Sequence, residues 1–143
     1  MSVIVTDAGF AAEDFPLPIL PFDTAPADVP AIDLPNTADP EALRARLPSL
    51  RLIRIAFPAT GDGRGFTLAR RLRAMGYAGR LRAVGPLIAD QYPLARRAGF
   101  DEVEIPAALA ARQPWPQWQA ALARRRHDYR SRIAGVTPRP VLV

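Results

Sequence analysis

From residue 39 onward the apolar and polar positions follow legible periods. Asp39-Pro40-Glu41 sets a helix start, with Asp39 as N-cap and Pro40 at the first helical position; Leu43 and Leu47 follow before Pro48 stops it. Leu50 to Phe57 places Leu52, Ile53, Ile55, Ala56 and Phe57 around Arg51 and Arg54, the pattern of a strand largely buried in a sheet. Thr67 to Met75 sets Leu68, Leu72 and Met75 on one helical stripe, with Arg70, Arg71 and Arg73 off it and Gly76 at the close. The pattern then predicts a strand over Leu81 to Val84, a helix over Ile88 to Ala98 ending at Gly99, and a strand over Phe100 to Ile105. A long basic helix over Trp115 to Arg132 finishes the series, with Trp118, Ala121, Leu122 and Ile133 among its apolar positions.

Strand alternating with helix predicts an α/β fold, a small and mostly parallel sheet with crossover helices. Three or four strands suit an open sheet better than a closed barrel, and a half-barrel completed by dimerisation stays open as an alternative. The first 38 residues look different. Proline at 16, 18, 21, 26, 30 and 35, with another at 40, removes backbone donors and disfavours helix. Ser2 to Thr6 suits a short strand. Phe10, Phe15, Leu17, Ile19, Leu20 and Phe22 supply apolar groups. The expectation is a proline-rich extended arm (1–38) packing on an α/β core (39–143), one domain overall.

The segment between the first core strand and its helix carries the candidate chemistry. In Phe57-Pro58-Ala59-Thr60-Gly61-Asp62-Gly63-Arg64-Gly65-Phe66-Thr67, the glycines at 61, 63 and 65 alternate with Asp62 and Arg64, exposing N–H groups near a helix N-terminus, where the dipole favours an anion. Parallel topology gathers Asp62, Arg64, Gly85, Asp90 and Gln91 on the carboxyl edge of the sheet. Arg64 and Arg82, both expected at strand ends, would grip a divalent oxyanion such as sulfite, sulfate or phosphate by forked hydrogen bonds. Asp62 and Asp90 are the candidate proton carriers. A carboxylate near two arginines has a lowered pKa, so the alternative is structural: Asp62 bonds its own loop and Asp90 caps the second helix. No G-x-G-x-x-G dinucleotide fingerprint is present, because a third glycine at the required spacing is missing.

Composition removes several classes of function. A chain of 143 residues with 49% apolar content fits one compact domain. The absence of cysteine excludes a thiol nucleophile, a disulfide framework and thiolate-held metal, and a single histidine, His127, excludes a histidine-rich metal centre. His127 and Met75 are of the types that ligate a heme iron, and a lone histidine on a basic helix suits solvent better. No cofactor is evident. All nineteen basic residues are arginine, so Schiff-base chemistry and a P-loop lysine are absent. Residues 1–50 hold eight acids and two arginines, a net of −6; residues 51–143 hold six acids and seventeen arginines, a net of +11, for the total of +5. A partner is therefore sought on the basic half, above all at Arg124-Arg125-Arg126 with Arg130 and Arg132, which suits an acidic protein or a solvated helix face. Trp115 and Trp118, on one face of the helix start, suit a binding hot spot or packing on the sheet. Nucleic acid is not expected, since aromatic interleaving, a helix-turn-helix and zinc spacing are missing. No leader-like or membrane-spanning apolar run appears, so the expected location is the cytoplasm.

The blocks Phe57-Pro58, Asp62-Gly63-Arg64-Gly65-Phe66-Thr67, Ala69-Arg70, Leu72-Arg73, Gly76-Tyr77-Ala78-Gly79, Leu81-Arg82-Ala83-Val84-Gly85, Asp90-Gln91 and Arg97-Ala98-Gly99-Phe100-Asp101 resemble, in order and spacing, the bacterial family DUF934. The resemblance covers residues 52 to about 105. It implies a place beside the sulfite reductase hemoprotein of sulfate assimilation, and the label of probable oxidoreductase of sulfite reduction that family members carry. The chain departs from the family at Pro86, where an acidic residue is usual, and at Tyr129-Arg130, where Tyr-Gln is usual. The resemblance favours an accessory protein of assimilatory sulfite reduction with an anion-binding glycine loop. The alternatives are a small oxidoreductase or other enzyme of that pathway and a binding domain for a phosphorylated metabolite.

Overall fold

The computed structural model describes residues 1–132, with side chains through Arg124. Its described residues form one seven-stranded sheet: β1 (Ser2–Thr6), β2 (Gly9–Ala11), β3 (Leu20–Pro21), β4 (Ala31–Leu34), β5 (Leu52–Ala56), β6 (Arg80–Val84) and β7 (Glu102–Pro106). The helices are α1 (Arg64–Ala74), α2 (Tyr92–Ala98), α3 (Ala107–Arg112) and α4 (Trp115–Arg132). The strand order is β2-β1-β7-β6-β5-β4-β3. Strands β3 to β7 run parallel, whereas β1 pairs antiparallel with both β7 and β2. The α/β class holds, and the sheet is mixed, with four parallel pairings and two antiparallel ones.

The N-terminal region is more than an arm packed on the core: it supplies four of the seven strands, and only the stretch between β2 and β3 lies across the sheet, where Phe15 packs on Ala31 and Leu52. β4 lies between Pro30 and Pro35 and pairs in register with β5, Ile32 opposite Ile53. The prolines sit just outside the paired residues, where no ladder N–H is needed, and the Pro30 carbonyl accepts the Arg51 N–H at 2.7 Å. β1 closes the other side through Val3 opposite Ile105 and Val5 opposite Val103.

Successive parallel strands are spatial neighbours, so right-handed crossovers all pass over one face. The burial pattern agrees. Ile32, Leu34, Ile53, Ile55, Leu81, Ala83, Val103 and Ile105 share a single core with Leu68, Leu72, Ala95, Leu109 and Trp118 of the helices. The alternate positions Asp33, Arg54, Arg82, Glu102 and Glu104 therefore point to the helix-free face, as the period of two requires.

Several elements shift from the pattern-based expectation. The 39–48 segment forms two 3-10 turns, Pro40–Leu43 and Leu47–Ser49, with Asp39 capping as expected by accepting the Glu41 N–H at 3.0 Å. α1 begins at Arg64 rather than Thr67, so Arg64 and Gly65 belong to its first turn. A 3-10 turn at Ala89–Gln91 precedes α2, which closes on Gly99 at φ 112°. The Ala-rich α3 was not expected. Trp118 is buried, donates its indole N–H to the Gln113 carbonyl at 2.7 Å and packs edge-on to Tyr92 and Phe10, while Trp115 packs on Phe10. Trp118 is thus core, and Trp115 is half-buried against it. No described helix is long and apolar enough to cross a membrane.

Candidate functional site

Three loops meet at the carboxyl edge of the parallel strands. The loop after β4 brings Asn36, whose amide donates to Asp62 at 2.9 Å. The loop after β5 brings Thr60, whose hydroxyl donates to the Pro86 carbonyl at 2.9 Å in the loop after β6. Gln91 returns the link by donating to the Thr60 carbonyl, and its side-chain oxygen accepts the Ile88 N–H at 2.9 Å. The glycine loop is therefore tied on both sides.

Asp62 is the organiser of this loop. It accepts the Arg64 backbone N–H at 3.2 Å and takes the Arg64 guanidinium through Nε at 3.0 Å and Nη2 at 2.7 Å. The Arg64 guanidinium, then its backbone N–H and the Asn36 amide, hold the Asp62 carboxyl well below the usual carboxylate range. An acid held ionised in this way cannot donate a proton at neutral pH, so Asp62 suits positioning rather than general-acid work. The Arg64 side chain remains 60% exposed; the N-cap residue of α1, Gly63, has no side chain to cap with, and Asp62 takes the first N–H of the helix in its place. A guanidinium has five N–H donors; Asp62 engages those on Nε and Nη2, and Nη1 is left to solvent.

The glycines divide by role. Gly61 and Gly63 have open space where a Cβ would stand. A Cβ on Gly65 would run into the ring of Phe57, which packs 4.9 Å from Phe66 and 5.8 Å from Phe100. Gly85, at φ 151°, lies against the Phe57 carbonyl. Gly65 and Gly85 thus serve close packing beneath the loop, whereas Gly61 and Gly63 keep its outer surface open.

Arg82 does not join Arg64. It lies mid-strand on the helix-free face, fully buried, with its guanidinium 2.6 Å from Glu102, 2.7 Å from Glu13, 3.0 Å from Glu104 and 3.9 Å from Asp14. Burial works against its charge, but hydrogen bonds to Glu13 and Glu102 outweigh it and raise its pKa. Arg54 joins the same lattice through Asp33 at 2.6 Å and Glu104 at 3.2 Å, and Arg80 through Glu102 and Asp14. A guanidinium surrounded by carboxylates offers nothing to an incoming oxyanion, so the expectation that Arg82 grips one is corrected. The signal missed was the alternation Arg80, Arg82 in a strand whose neighbour alternates Glu102, Glu104; the decisive partner, Glu13, lies 69 residues away.

Asp90 lies in the 3-10 turn before α2, exposed, with one oxygen 3.2 Å from Arg124. It shares no partner with Asp62, and it does not cap the second helix as expected: its carboxylate meets Arg124, and the Gln91 side-chain oxygen accepts the Ile88 N–H at the start of the turn. Arg73, Gly99 and Phe100 belong to the opposite, amino edge. Arg73 donates to the carbonyls of Gly99, Tyr77 and Gly79 and to Asp101 at 2.8 to 3.0 Å, and Phe100 is fully buried. This knot fixes the turn from α1 into β6 against the turn from α2 into β7.

Among the described residues no group of three His, Cys, Asp or Glu side chains is placed to hold a metal ion. Met75 packs at the border of the core. The side chains of Arg125, Arg126, His127, Tyr129, Arg130 and Arg132 lie outside those described, so of the basic helix face only Arg124 is seen.

A family model described as a bacterial protein of unknown function, DUF934, matches residues 31–140. No curated protein and no solved structure matches the chain.

Proposed function

Since the chain belongs to the bacterial family DUF934, we propose that it is an accessory, binding protein of assimilatory sulfite reduction that receives a small oxyanion at the glycine loop. The pathway comes from the family resemblance. The binding role is supported by one observation: Asp62 fixes the exposed Arg64 guanidinium beside the α1 N-terminus, where the N-cap residue is Gly63 and Asp62 takes the Arg64 N–H. Open space at Gly61 and Gly63 leaves room for a tetrahedral or pyramidal anion against the backbone. Arg64 supplies charge and planar donors and the helix N-terminus a partial positive charge.

Asp62 cancels much of the Arg64 charge, so binding is weak, with a Kd of about 1 mM. Weak capture suits a protein that presents an anion to a partner. The sulfite reductase hemoprotein is the proposed partner, and the arginine-rich α4 is the docking face we assign to it.

The test is growth of a strain lacking the chain on sulfate, sulfite or sulfide as sole sulfur source. The reading expects failure on sulfate and sulfite, rescue by sulfide, complementation by the intact chain and poor complementation by Arg64→Ala. Normal growth of the deletion strain on all three sources would remove the pathway assignment. Full complementation by Arg64→Ala would remove the loop from it.

A further inference from the structure

The helix-free face carries a second concavity that the glycine loop does not line. It is an open cavity of about 500 Å³ at the carboxyl ends of β4, β5 and β6, lined by Phe22, Asp23, Asp33, Pro35, Arg54 and Val84 among others. That volume lies within the usual range for a small-molecule site. It opens at the carboxyl ends of these parallel strands, beside the ionic side chains of the helix-free face.

The chemistry of the lining selects the ligand. Phe22, Pro35 and Val84 give apolar walls. The Phe22 ring is held from outside the cavity by Arg46, whose guanidinium carbon lies 5.3 Å from the ring centroid and which donates to the Pro26 carbonyl. The one cation in the lining, Arg54, is already neutralised: it donates to both oxygens of Asp33 at 2.6 and 2.7 Å and to Glu104 at 3.2 Å. Asp33 stays 40% exposed, and with two hydrogen bonds accepted it retains lone pairs for a further donor. Asp23 is exposed and makes no hydrogen bond or ion pair with the described residues. The cavity therefore combines apolar walls, surplus negative charge and carboxylate acceptors, with no cation left for an anion.

We propose that this cavity binds a small organic cation, a primary amine with an aromatic or branched apolar body. The ammonium sits between Asp23 and Asp33, and the body lies against Phe22, Pro35 and Val84. Desolvating the apolar body drives entry, and the charge-assisted hydrogen bonds set orientation and reject carboxylates. The site is separate from the oxyanion loop, so the two stand or fall independently.

The test uses the intact, isotope-labelled chain with three probes that share a phenethyl body: phenethylamine, 2-phenylethanol and 3-phenylpropionate. Phenethylamine is expected to shift the backbone amides of Phe22 and Val84, with the alcohol at least tenfold weaker and the carboxylate without effect. Asp23→Asn removes an exposed, unbonded carboxylate and leaves the fold intact; it is expected to weaken phenethylamine three- to tenfold. Equal or tighter binding of the carboxylate, no response to the amine at these amides, or unchanged affinity in Asp23→Asn would overturn the proposal.

Discussion

Replacing Arg82 with methionine removes the charge at the centre of the ionic lattice while keeping an unbranched side chain that fills the space of the arginine's aliphatic stem. Arg82 is fully buried against Glu13, Glu102 and Glu104. After its removal Glu102 keeps Arg80 and Glu104 keeps Arg54, but Glu13 keeps no arginine hydrogen bond. The face then holds Glu13, Asp14, Asp33, Glu102 and Glu104 against two arginines instead of three. Removing one partner of a buried ion pair costs about 3–5 kcal/mol, which for a chain of this length lowers Tm by about 10–15 °C. Glu13→Gln is the graded companion. Hydrogen bonds from Arg82 hold the Glu13 carboxyl at about 2, from an ordinary value of 4.5. A fully enclosed group shifted that far would contribute about 3 kcal/mol, but Glu13 is 41% exposed, and solvent screening reduces this to about 1 kcal/mol. Because the folded pKa is depressed, that contribution is present above about pH 4.5 and disappears as pH falls toward about 2. Thermal unfolding by circular dichroism at pH 7 and across pH 2 to 5 reads both variants and the double variant. The double variant should cost less than the sum of the two, since the pair interacts directly. An Arg82→Met loss below about 1 kcal/mol, or a gap between the intact chain and Glu13→Gln that widens on acidification, would refute the reasoning.

Two further substitutions test the packing around the site. Gly99→Ala puts a Cβ at φ 112° and 2.6 Å from Arg73 Cγ, so it should cost about 2–3 kcal/mol by chemical denaturation while leaving the glycine loop's anion response unchanged. Trp118→Ala should cost about 3–5 kcal/mol, because the indole is fully buried between Tyr92 and Phe10; a loss near zero would argue that it serves a surface instead.

The run from β5 through β7 was legible because its periods are long and its glycine closures are local. Leu68 and Leu72 mark α1, and Gly99 marks the end of α2. β2, β3 and β4 were not legible. Each is four residues or fewer, and β4 has prolines at both ends that mimic loop punctuation. The insertion of β1 beside β7 joins residues about a hundred positions apart, and no local pattern carries such a pairing. At the site, the Asp62 to Arg64 link and the ionised state of Asp62 follow from two residues in one turn and were legible. The fate of Arg82 was not, because what buries it is the Glu13 carboxylate from the far end of the chain. Ala107 to Arg112 carries a helix signal of its own, an alanine-rich run of high helix propensity.

The most direct test of the oxyanion loop is titration of the intact, isotope-labelled chain with sulfite, followed through its backbone amides, beside the same titration of Arg64→Ala. The account predicts saturable shifts at Gly61, Gly63, Arg64 and Gly65 with a Kd of about 1 mM, weakened at least tenfold in the variant, with the amide of Arg82 unmoved. Silent loop amides, or an unchanged affinity in Arg64→Ala, would contradict it.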